Sequence, residues 1–229
     1  MVQLRQKVKD ASPSFYLTLI SIIASLAFGY LLSKIEPKYL YGSDWRFLYW
    51  LKVLLSFQAI IITWHEYAMS TVAFKWVLNY VDSLVPFLFG ITLFGIIENL
   101  ACERTHFWFY FLSGFTLIAI VAYNNQFLKT EREDENRQIL SIMRSYHPMC
   151  ICSSIICTIC FSVFGIMSFK FGQIESVSLS LCAVTNFIFI AYTIIGHFCW
   201  KNAFKQKTLG IPGIPGTVYS IQTSGIPGT

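Results

Sequence analysis

The sequence predicts an all-α, polytopic integral membrane protein: a bundle of six transmembrane helices with both termini in the cytoplasm. Three observations carry this. The first is composition. Of 229 residues, 55% are hydrophobic and only 13% charged, against about 25% charged in soluble domains. So few charges leave much of the surface to be covered by lipid. The second is length. Six apolar runs of about 20 residues recur, which is what a helix needs to cross the hydrocarbon core. The third is charge placement. Eleven Lys and Arg residues fall on the side shared by the N-terminal arm, the loops after the second and fourth spans, and the tail. Five fall on the other side, and Lys52 lies within a span. The richer side is expected to be cytoplasmic.

The spans are expected at 14–33, 47–66, 76–97, 107–125, 148–169 and 177–197. Helices satisfy their own backbone hydrogen bonds in lipid, and the period-2 alternation of a membrane barrel is missing. Residues 1–13 read as a basic cytoplasmic arm, 14–198 as the transmembrane domain and 199–229 as a basic, then Gly/Pro-rich flexible tail. The first apolar run is too long for the core of a signal peptide, so it reads as a retained helix. Tyr39, Tyr41, Trp45, Tyr49 and Trp50 form the expected aromatic belt on the far side. The seven cysteines lie mostly inside apolar runs and read as buried thiols, not a disulfide framework.

The one sizeable polar loop, KTEREDENRQILSIMRSY at 129–146, is expected to hold a short helix. Thr130 with Glu133 has capping-box spacing, and Glu133 with Arg137 is a favourable i,i+4 pair. The loop reads as a solvated connector or as a docking surface for a cytoplasmic protein partner.

Polar residues inside the spans are the functional candidates, because a charge or amide in lipid is costly and needs a reason. In the first span Ser14, Thr18, Ser21, Ser25 and Gly29 share one face. This small-xxx-small pattern serves helix packing, or it lines a hydrated pore in which hydroxyls replace part of an ion's water shell. In the third span Asn79 and Asp82 lie one to two turns inside the edge if the helix starts at Trp76, forming a cation-attracting mouth. If the helix starts later, Asp82 is an interfacial N-cap. Pro86, four residues on, removes a backbone hydrogen bond. His65 and Glu66 close the second span as an interfacial hydrogen-bonded pair or as a proton-sensitive gate. Asn186, mid-way along the sixth span, makes an interhelical hydrogen bond or lines a permeation path.

Other chemistries find little here. His65 and Glu66 lack the second histidine of a zinc-protease motif, and His147, Cys150 and Cys152 match no recognised zinc spacing. No P-loop, dinucleotide fingerprint or nucleophile elbow occurs. No metal, cofactor or catalytic residue is therefore assigned, and the scattered net charge of +5 does not point to nucleic acid. The expected partners are the lipid bilayer and further copies of the chain.

The second and third spans resemble the six-helix lysosomal and bacterial potassium channel family. The residues that carry this are Ser56-Phe57, Trp64-His65 and Pro86-Phe87. The resemblance implies six helices with cytoplasmic termini around a cation pore lined by helix one. That family's Phe-Ser-Asp signature is absent from SPSFYLTLISIIASL in the first span, so no selectivity residue is carried over. The leading expectation is an oligomeric cation-permeable channel or transporter. The alternative is a non-conducting scaffold or sensor subunit that holds a partner through its loop and tail.

Overall fold

The structure, a computed structural model, describes residues 2–35, 47–77, 79–100, 104–144, 146–171 and 175–208. Its elements are α1 (Val2–Lys34), α2 (Phe47–Ala73), α3 (Tyr80–Glu98), α4 (Thr105–Thr130), a 3-10 turn (Asp134–Asn136), α5 (Arg137–Met143), α6 (His147–Phe171) and α7 (Glu175–Thr208). All the helices except α5 are long and apolar enough to cross a membrane, six in number. This is the pattern of a multi-pass membrane protein.

The helices run past the spans at several ends. α1 continues back through Pro13 to Val2, so the basic arm forms its first turns. α2 runs on to Ala73 and α7 to Thr208, which places the start of the tail in a helix. α3 begins later than Trp76, because Asn79 caps it. Residues 209–229 and the belt residues Tyr39, Tyr41 and Trp45 lie outside the described residues; Tyr49 and Trp50 fall in the first turn of α2.

The helix expected in the loop at 129–146 is present as α5. Its start differs from the expected capping box. Thr130 ends α4 and donates back to the Phe127 carbonyl. Asn136 is the N-cap residue of α5. Glu133 is drawn away to Lys9, and Arg137 pairs with Asp134 instead, three residues back. A tertiary cation 124 residues away outcompetes the weak local i,i+4 pair.

α1 packs on α2 and α3; α2 and α3 also touch each other. From there α3 packs on α4, α4 on α6, and α2 on α7, while α6 and α7 touch only lightly. The result is a closed circuit of α2, α3, α4, α6 and α7, with α1 laid on the outside of the α2–α3 seam. The side chains that fill the bundle are large: Trp108, Phe109 and Leu112 of α4, Phe161 of α6, Leu55 of α2, and Leu93, Ile96 and Ile97 of α3 are fully buried.

The closest helix pair is α4–α6. In lipid, helices gain little from apolar burial against each other, so small residues and hydroxyls hold them together. Ser113 Oγ reaches the Thr158 carbonyl at 3.1 Å and Ser162 Oγ at 2.8 Å, and Thr116 Oγ1 meets Thr158 Oγ1 at 2.8 Å. At Gly165 a Cβ would stand 2.6 Å from the Tyr110 ring, so only glycine admits that approach. Outward, Phe87, Ile91, Ile156, Ile159, Phe169 and Phe187 are exposed. So much exposed apolar surface suits acyl chains and not water.

Two ends of the bundle are distinct. At one, Lys34 pairs with Glu98 at 2.7 Å and Tyr49 donates to the Lys34 carbonyl. The other holds the first turns of α1, the C-terminal halves of α2, α4 and α7, and α5. We call it the basic end. There Lys9 bridges Glu133 and Glu135, and Asn136 clasps residue 75 through both its backbone N–H and its carbonyl.

Candidate functional site

The circuit of five helices frames a half-open cleft on the side of the basic end. α2 faces it with Thr63, Glu66, Tyr67 and Ser70, spaced three and four residues apart so that they share one stripe. Phe89 comes from α3, Phe115, Thr116, Tyr123 and Gln126 from α4, Ser154 and Cys157 from α6, and Phe189 and Tyr192 from α7. The lining is mainly apolar and aromatic. α1 contributes nothing to it, which separates the cleft from the hydroxyl face of the first helix.

Among the described residues Glu66 is the only acidic one in the lining. Its Oε2 accepts from Tyr123 Oη at 2.8 Å and from Trp200 Nε1 at 3.1 Å, and Tyr123 Oη meets Tyr192 Oη at 2.9 Å. Its Oε1 lies 3.7 Å from His65 Nδ1. Among the described residues His65 is its one partner of opposite sign, and it is charged only when protonated. The carboxylate is thus fixed by neutral donors, is 17% exposed and has no permanent counter-charge among the described residues. Gln126 Nε2, also in the lining, is buried without a hydrogen-bond partner.

A second half-open pocket continues beyond Ser70, Tyr123 and Gln126, which line both. Phe74, Thr130, Met143, Tyr146, His147, Cys150 and Trp200 also line it. His147 stacks on Phe127 with ring centres 4.0 Å apart.

Asn79 lies just before α3 and Asp82 in its first turn. Asn79 is the N-cap of α3, accepting from the Asp82 backbone N–H at 3.0 Å, and Asp82 Oδ2 accepts in return from the Asn79 N–H at 2.9 Å. This is a reciprocal capping box with Asp82 at its third position. The N-cap role expected for Asp82 therefore falls to Asn79. The other oxygen, Asp82 Oδ1, takes Asn125 Nδ2 at 3.0 Å and Lys129 Nζ at 2.6 Å. The carboxylate is 4% exposed and fully engaged, so its charge is spent on joining α3 to α4. Pro86 is buried in α3 one turn further on.

The hydroxyl face of α1 turns away from the bundle. Thr18, Ser25 and Gly29 are exposed, and a Cβ at Gly29 would meet nothing within 4 Å. Thr18 donates to the Ser14 carbonyl, and Ser21 Oγ accepts from Trp64 Nε1 at 3.1 Å. Asn186 is buried on the opposite side, with Nδ2 donating to the Leu51 and Cys182 carbonyls at 3.1 and 2.9 Å. It ties α7 to α2.

Of the residues expected from sequence, Glu66 alone lies in the cleft. Asn79 and Asp82 form a separate cluster with Lys129, and the α1 face and Asn186 stand apart from both. Tyr123, Tyr192 and Trp200, which hold Glu66, were not foreseen. Their one signal is that a lone carboxylate inside an apolar run requires donors from other helices. Compared with known proteins, the chain matches no family model, no curated protein and no solved structure.

Proposed function

We propose that this chain is a multi-pass membrane protein that binds and translocates a cation, with Glu66 as the binding carboxylate. One observation carries the reading: Glu66 is held in an aromatic, mainly apolar cleft by Tyr123 and Trp200, with no permanent cation beside it among the described residues. A carboxylate kept at such a site is costly unless its charge is used. A bound cation uses it.

The Lys and Arg bias supports a cytoplasmic basic end, which turns the cleft towards the cytoplasm. The resemblance of the second and third spans to the six-helix potassium channel family supports a cation as cargo. The exposed small face of α1 suits contact with a second copy, so a homo-oligomer remains part of the proposal. The path itself is assigned to the five-helix circuit and not to helix one. The loop at 131–137 is engaged with Lys9 and residue 75, which argues against its serving first as a docking surface.

The test is cation flux through purified protein in liposomes. Glu66→Gln keeps the size and one acceptor oxygen for Tyr123 and Trp200 but removes the charge. Flux is expected to fall by about tenfold or more, the equivalent of roughly 1.4 kcal/mol. Asp82→Asn is expected to leave flux per folded molecule unchanged. Loss of flux with Asp82→Asn and none with Glu66→Gln would move the site to the α3 cap.

A further inference from the structure

We propose that the cleft takes an organic ammonium ion: an amine or quaternary nitrogen carried on an apolar body. This rests on the reading of Glu66 as a cation site and names the class of cation. The nitrogen lies against the Glu66 carboxylate beside Tyr123 and Tyr192, and the body lies along Phe89, Phe115 and Phe189.

The walls decide the class. Phe89 and Phe115 meet edge to face at 5.3 Å between ring centres, and Phe115 and Phe189 lie 6.4 Å apart. Tyr67 extends the row, 5.8 Å from Phe89. Aromatic rings around a carboxylate recognise alkylated nitrogen, because the rings attract its spread positive charge and ask for no hydrogen bonds in return. An inorganic ion must instead exchange its water shell for several oxygens. Here the carboxylate and the hydroxyls of Thr63, Ser70, Thr116 and Ser154 stand in a lining that is otherwise mainly aromatic and aliphatic.

The cleft is half-open and is lined from five helices. Gln126 Nε2, buried in the same lining without a partner, offers a donor to one acceptor on the ligand body.

The experiment is calorimetric titration of the full chain in detergent with three probes: benzyltributylammonium, the neutral N,N-dibutylbenzamide, and potassium chloride at constant ionic strength. The ammonium is expected to bind saturably and the amide about tenfold more weakly or worse. Potassium in large excess is expected not to displace it. Glu66→Gln and Phe115→Leu should each weaken ammonium binding by about tenfold. Equal affinity for ammonium and amide would overturn the proposal, leaving a plain apolar groove. Potassium binding that needs Glu66, with no ammonium binding, would overturn it while sparing the cation site. Binding of neither cation by protein with an intact thermal transition would remove both readings. Should Glu66→Gln not fold, the comparison of ammonium with amide on the unaltered chain still decides.

Discussion

Lys129 Nζ lies 2.6 Å from Asp82 Oδ1, joining the last turn of α4 to the first turn of α3. Both side chains are largely buried, 13% and 5% exposed. Removing one partner strands the other, which is the costly event at buried ion pairs. Lys129→Met is expected to destabilise the fold by about 3 kcal/mol, read as a lower melting temperature in detergent. Asp82→Asn combined with Lys129→Met should recover much of that loss. A double variant as unstable as the two losses summed would mean that the pair is not coupled.

Asn186 carries a smaller share. Its amide donates to the Leu51 carbonyl across the α2–α7 contact. Interhelical bonds of this kind are worth about 1 kcal/mol in membrane proteins. Asn186→Ala should therefore lower stability by about that amount and leave flux per folded molecule unchanged. A change in ion preference without a change in stability would restore it to the permeation path.

The clasp between α1 and the 3-10 turn is expected to depend on pH. Hydrogen bonding to Lys9, first, and the positive charges of Lys9 and Lys75 hold the Glu135 carboxyl below its usual range. Glu133, which shares Lys9, belongs to the same cluster. A depressed folded-state pKa means that the contribution is complete at neutral pH. It is lost as pH falls below 4.5, the ordinary value, through the folded value. Limited proteolysis at 131–137 should be slow at pH 7 and faster at pH 4. Glu135→Gln should show much of the fast cleavage already at pH 7. Cleavage independent of pH would show that the clasp is held by Asn136 alone.

The outer face of α1 makes a prediction by its emptiness. A Cβ at Gly29 meets nothing within 4 Å, and Ser25 is exposed. Ser25→Leu and Gly29→Leu are expected to leave the melting temperature within the roughly 0.5 kcal/mol typical of surface changes. They should shift an oligomer towards the monomer in light scattering, because larger side chains keep a second helix from close approach. Unchanged association would place the contact between copies elsewhere.

The six long helices were legible in the sequence because each is a local property: some 20 apolar residues in a row, with the backbone satisfied within the segment. The α3 cap was half legible. Asn79 and Asp82 have capping-box spacing, yet Trp76 just before them reads as more span. The Asn79 cap decides where α3 begins, while Trp76 is buried in the loop before it. The Thr130–Glu133 pattern misled for the opposite reason. There a local signal was overridden by Lys9, a partner that only folding brings near.

Composition and periodicity determined by themselves that this chain is helical, apolar and built of six potential spans, and which polar residues interrupt them. They also placed Ser14, Thr18, Ser21, Ser25 and Gly29 on one face. Which way that face turns was decided by the tertiary structure. α1 buries Tyr16, Ile20, Ala24, Ala27 and Leu31 and leaves the small residues outside. The structure likewise decided that Asp82 is consumed by Lys129 while Glu66 is not. Tyr123 and Trp200 stand 57 and 134 residues from Glu66 along the chain. Apolar runs report that a helix enters lipid, but they say nothing about which helix lies beside it. Neighbours are chosen by small residues, hydroxyls and amides in contact across the bundle, and a site built from five helices exists only once they have met.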